Sequence, residues 1–243
     1  GLLQAYIDPL GNVTTYNYNA NGDSSQVTNA LGETSVSTYD DAGRKTSVTN
    51  PRAYTTTFTY DNFNRTLTVN DALGGTTSQS YDPVGNKLSE TDPKGNTTTY
   101  TYDARDNLHT VTDADGYVTT YTYDPAENML SVTDGNGHTT AYTYDAVNQM
   151  VAETNPLSQT THYTYDGNGN LTHTTDPLNH TTAITFDALD RPIIFTDALV
   201  NTTITAFDAV GNKISLTDAN GNNTQFAHDE LDQLITVTDA LGG

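Results

Sequence analysis

The side chains best equipped for chemistry in this sequence are its carboxylates. Asp and Glu total 30 against 9 Lys and Arg, a formal charge of −21. There is no cysteine, so thiolate nucleophiles, disulfides and cysteine-based zinc sites are excluded. Three stretches set oxygens two residues apart before a glycine, as calcium loops do: Asp113-Ala114-Asp115-Gly116, Asp134-Gly135-Asn136-Gly137 and Asp218-Ala219-Asn220-Gly221. None is followed by the bidentate acid such a loop needs. Six histidines are scattered, and only His138 and His180 share a place in the pattern described below. No Gly-x-Ser-x-Gly elbow and no phosphate-binding Gly-x-x-x-x-Gly-Lys segment occurs. The expectation is no catalytic residue, no metal site and no cofactor, with non-specific divalent cations around acidic rows. Nucleic acid is disfavoured as a partner, because phosphates need clustered Lys and Arg. None occurs between Arg105 and Arg191.

What positions these carboxylates is a repeat of 21 residues. An aromatic residue recurs at Tyr18, Tyr39, Tyr60, Tyr81, Tyr102, Tyr123, Tyr144, Tyr165, Phe186 and Phe207, and His228 holds the next place. This is unit position 1. A second aromatic row lies two residues earlier, at Tyr16, Phe58, Tyr100, Tyr121, Tyr142 and Tyr163. Aspartate follows the first row at Asp40, Asp61, Asp82, Asp103, Asp124, Asp145, Asp166, Asp187 and Asp208. Ten residues on, Asp71, Asp92, Asp113, Asp134, Asp176, Asp197 and Asp218 form a second acidic row, and three residues later comes a glycine, as at Gly95, Gly116 and Gly137. Unit position 5 is Gly, Asn or Asp, with Glu127 the exception.

Each unit therefore carries two turns. In Asp82-Pro83-Val84-Gly85 and Asp92-Pro93-Lys94-Gly95 the aspartate accepts backbone N–H bonds, the proline presets φ and the glycine takes a positive φ. The segments between turns, such as NTTTYTY from Asn96, are β-branched and aromatic, which favours strands. No helical apolar stripe is present. The fold expected is all-β: an antiparallel meander of two-strand units over residues 1–243 as one continuous array. Residues two apart share a strand face, so Tyr100 and Tyr102 point one way and Thr99 and Thr101 the other. An odd repeat cannot keep this order with two identical turns alone. Either the turns differ in type, or one strand carries an extra bulge.

The apolar content is thin, 34% of residues. Strands paired only with their neighbours are stabilised nearly as a sum of adjacent contacts. Twist makes so long a sheet curl, so the expectation is a sheet spiralled into a shell or tube. No run of apolar residues approaches a membrane span, and the first residues show no leader pattern. Both ends of the sequence fall at turns, which reads as a piece of a longer array.

The units TTTYTYDARDNLHTVTDADG and TTAYTYDAVNQMVAETNPLS resemble YD repeats, the Rhs repeats of bacterial toxins and their relatives. The resemblance extends over essentially the whole chain. Members include Rhs polymorphic toxins, wall-associated proteins, the cocoon component of insecticidal Tc toxins, and teneurins. It implies a hollow β-shell that encloses or displays a toxin or other cargo, in a secreted or cell-surface bacterial protein without enzymatic activity of its own. Its partners would be other YD repeats of the same or identical chains, and enclosed cargo. The alternative is an extracellular filament or adhesin, with the tyrosine rows stacking on surface glycans.

Overall fold

The computed structural model describes residues 1–242 and shows twenty-three β-strands and no helix among them. The chain divides into two units, residues 1–120 and 121–243. In each, successive strands pair antiparallel with their neighbours in sequence. In the first, Lys87–Thr91, Thr97–Tyr102 and Leu108–Thr112 are consecutive strands. In the second, Thr139–Tyr144, Met150–Thr154 and Thr160–Tyr165 repeat the arrangement.

The two turns of a repeat are of one type. The Asp82 amide donates to the Asn86 carbonyl and the Gly85 amide to the Asp82 carbonyl. The Asp92 turn repeats this with Asn96 and Gly95. It is a type I turn closed by a residue of positive φ, the common three-residue hairpin loop. Every positive-φ residue among those described occupies that closing place. Glycine fills most of these places and Asn or Asp several others, but Ala53, Glu127, Ser158 and Val200 also adopt it.

With alike turns, the odd residue of the repeat is taken up by a bulge. Tyr81 pairs with Lys87 but Ser80 with Ser89, leaving Leu88 extra. The same shift sits beside unit position 1 in each of the hairpins of this kind that are described in either unit. Its effect is on faces. Without the bulge, the same residues would pair Tyr81 through Lys87 onto the face of Thr101. With it, Ser80, Ser89 and Thr99 share one face, and the tyrosines keep the other. Of the two solutions open to an odd repeat, the chain uses the bulge.

Threonines line the opposite face and bond across strands. Thr91 and Thr97 hydroxyls lie 2.8 Å apart, and those of Thr101 and Thr110 2.6 Å apart. Nothing covers either face to the depth of a core: among the described residues the only buried apolar one is Ala152, 9% exposed. The fold therefore rests on ladder hydrogen bonds, cross-strand pairs worth about 0.2–1 kcal/mol each, and half-buried rings.

Candidate functional site: an aromatic face rimmed by aspartates

Tyrosine suits unit position 1 for a reason that phenylalanine does not share. The ladder between Lys87–Thr91 and Thr97–Tyr102 stops at Ser89 and Thr99, short of the bulge. The Tyr102 hydroxyl reaches across and donates to the Lys87 carbonyl at 3.0 Å. Tyr18, Tyr39, Tyr60, Tyr144 and Tyr165 do the same to the carbonyl fifteen residues upstream, at 2.6–3.0 Å. Tyr81 instead donates to Gln79 Oε1. Phe186 and Phe207 keep the ring and drop the hydroxyl. Both aromatic rows are half-buried along their whole described length. Partial burial pushes the phenols of Tyr102 and Tyr144 above the usual range, with nearby Asp82 adding to the first.

Cations sit on these rings where the sequence supplies them. Arg44 stacks on Tyr60 at 5.1 Å, Arg65 on Tyr81 at 4.7 Å and Arg191 on Phe207 at 4.8 Å. Each of these arginines also bonds its own turn aspartate through Nε, and through Nη1 the backbone carbonyl of the aspartate one repeat on. They clasp successive turns together.

The acidic rows point back into their own turns. Asp92 Oδ1 accepts the amides of Lys94 and Asn96, while Oδ2 accepts the Asn96 side chain. The Asn96 side chain and amide hold the Asp92 carboxyl below the usual carboxylate range. Asp8, Asp166, Asp197 and Asp218 are lowered by the same pair of bonds from Asn12, Asn170, Asn201 and Asn222. The calcium-like stretches follow this scheme: Asp113, Asp134 and Asp218 each spend Oδ1 on two backbone amides. His138 and His180 are turn partners too, with Nδ1 at 3.0 and 2.9 Å from Asp134 and Asp176.

The residue four places after each aspartate escapes a reading that looks only for Asp and Gly. Its signal is a recurring side-chain donor: Asn86, Asn96, Asn107, Arg44, His138. Several reach one repeat further. Asn86 donates to Asp106, Asn128 to Asn148 and Asn170 to Asp190, at 2.7–2.9 Å.

A meander of 21-residue units with two alike turns and one bulge defines a class of repetitive β-sheet protein. The RHS Repeat family model matches residues 1–34, 39–76, 63–97, 81–116, 102–139, 128–160, 144–181, 165–198 and 207–243, and the chain belongs to that family. Among solved structures it is similar to TcdB2-TccC3-Cdc42, at 18% identity and a TM-score of 0.60 over 94% of this chain. The Photorhabdus luminescens Tc holotoxin pore matches at 17% identity and a TM-score of 0.59, also over 94% of this chain. Likeness at this identity is likeness of fold. The chain spans 16% and 15% of the length of those two. Comparison with proteins of curated function returns no match.

Proposed function

We propose that this chain is a structural scaffold, one continuous YD-repeat array forming part of a hollow β-shell that encloses or displays a toxin or other cargo. In this reading the aromatic rows and turn aspartates are structural parts, the segment catalyses nothing, and the protein acts outside a bacterial cell or at its surface. The observation that carries it is the spending of the chain's polar groups on itself. The turn carboxylates bond their own loops, and the row of phenols caps backbone carbonyls. Fold likeness to Tc toxin components over 94% of the chain supports the same reading. The unbroken 21-residue phase from Tyr18 to His228 supports a single array.

The test is electron microscopy of the native particle formed by the full-length gene product. Closed hollow particles with density inside are the expected result. Long uniform filaments would overturn the shell and favour the adhesin.

A further inference from the structure

Unit position 10 pairs with the place of the second aromatic row, as Val69 does with Phe58 and Val111 with Tyr100, and most of its occupants are apolar, Val48, Val132 and Leu216 among them. Two units place a glutamate there, Glu90 and Glu153, three repeats apart. A carboxylate set among half-buried rings is costly unless a cation attends it. Glu90 has one. Lys87 Nζ lies 2.8 Å from its Oε2 and 5.9 Å from the centre of the Tyr100 ring. The Glu90 bond raises Lys87 above the usual lysine range.

Three repeats on, the place of Lys87 is taken by Met150 and that of Tyr100 by Tyr163, while Gln79 is replaced by Tyr142. Glu153 pairs directly with Tyr142 across one strand boundary. Across the other, the Tyr163 hydroxyl approaches its Oε2 at 3.4 Å. Among the described residues no ion pair reaches Glu153. The stretch from 106 to 190 contains no Lys or Arg at all. Both phenols are pushed up, by partial burial first and by the Glu153 charge second. The carboxylate and the ring are thus in place twice, and the ammonium once.

We propose that Glu153, Tyr142 and Tyr163 form a subsite for a lysine side chain of a basic polypeptide laid on the aromatic face. The Glu90–Lys87–Tyr100 trio shows the arrangement with the cation supplied from within. At Glu153 the partner supplies it, gaining an ion pair and a ring contact that are both stronger when half-desolvated. The subsite needs a cation and not a shell, so it holds whether the sheet encloses its partner or displays it.

The experiment is an NMR titration of the chain carrying 13C-labelled tyrosine rings with acetyl-tetralysine amide, and with acetyl-tetraglutamine amide as the uncharged control. Saturable shifts concentrated at Tyr142 and Tyr163 are expected with the lysine peptide only. Glu153→Gln should weaken binding about tenfold. Met150→Lys, which supplies the tethered ammonium, should weaken it by a similar factor. Glu127→Gln removes the same charge from an exposed turn of the same stretch and should leave affinity within about twofold. Affinity unchanged from the parent in both Glu153→Gln and Met150→Lys would overturn the subsite. So would shifts of similar size at every labelled tyrosine, which is the pattern of a polycation held only by the net charge.

Discussion

The Tyr102 hydroxyl caps the Lys87 carbonyl where the strand ladder gives out at the bulge. That contact makes tyrosine and phenylalanine unequal at unit position 1. Tyr102→Phe should destabilise its neighbourhood by about 1 kcal/mol, the usual loss for one hydrogen bond whose partner stays in place. Tyr100→Phe, in the second row, should stay within about 0.5 kcal/mol. Hydrogen exchange of the amides in Lys87–Thr91 and Thr97–Tyr102 reads both. Backbone conformation gives a second prediction. Val200 closes its turn at φ 67°, a region that a β-branched residue enters at a cost of about 1–2 kcal/mol. Val200→Gly should therefore stabilise the protein by about 1 kcal/mol, and Gly95→Ala, at φ 87°, should destabilise it by a similar amount. Urea titrations of the two variants should move in opposite directions from the parent; a shift of both the same way would reject the assignment.

Between strands, the bulge decides which side chains meet. Leu88 is the extra residue, and its bulge keeps Ser80, Ser89 and Thr99 on one face and leaves the tyrosines together on the other. Deleting Leu88 would remove the bulge and leave a regular ladder, with Tyr81 still opposite Lys87, Ser80 opposite Ser89 and both turns intact. Rings and threonines would keep their faces. The expected result is amide protection largely retained, with any loss confined to the strands flanking residue 88, because each strand is stabilised by its neighbours. Uniform loss of protection through residues 1–120 would contradict that local bookkeeping.

Over the full chain, the charge of −21 and the turn design give a definite response to acid. The carboxyls of Asp40, Asp92, Asp134, Asp187 and Asp218, among others, are lowered in the folded protein by bonds from their own turns. In the unfolded chain they return to a pKa near 3.9. Between the lowered values and that ordinary one, the unfolded state binds more protons, so folding is favoured above that window and loses its advantage as pH falls through it. Because many equivalent turns titrate together, far-UV circular dichroism should be flat down to about pH 4.5 and then fall steeply. Added salt at pH 7 should stabilise the fold by screening like charges. A gradual decline beginning near pH 6 would point instead to histidine.

The sequence by itself determined the turns, the strands and their period, because these are local. Asp82 and Gly85, or Asp92 and Gly95, specify a loop whose bonds all close within five residues. The alternation in Thr97–Tyr102 then sorts tyrosine from threonine whatever lies beside it. Most of the candidate rows were legible for the same reason. Left-handed turn closure at Val200 and Glu127 was not, since those residue types argue against it and the surrounding loop imposes it. The choice between unlike turns and a bulge was open too, because register is a property of two strands together and no single strand records it. The Tyr102–Lys87 bond joins residues fifteen apart, and the Glu153 site joins three strands. Only the paired sheet brings Tyr142 and Tyr163 to either side of one carboxylate. It is the absence of a lysine there, beside its presence at Glu90, that gives the site its meaning.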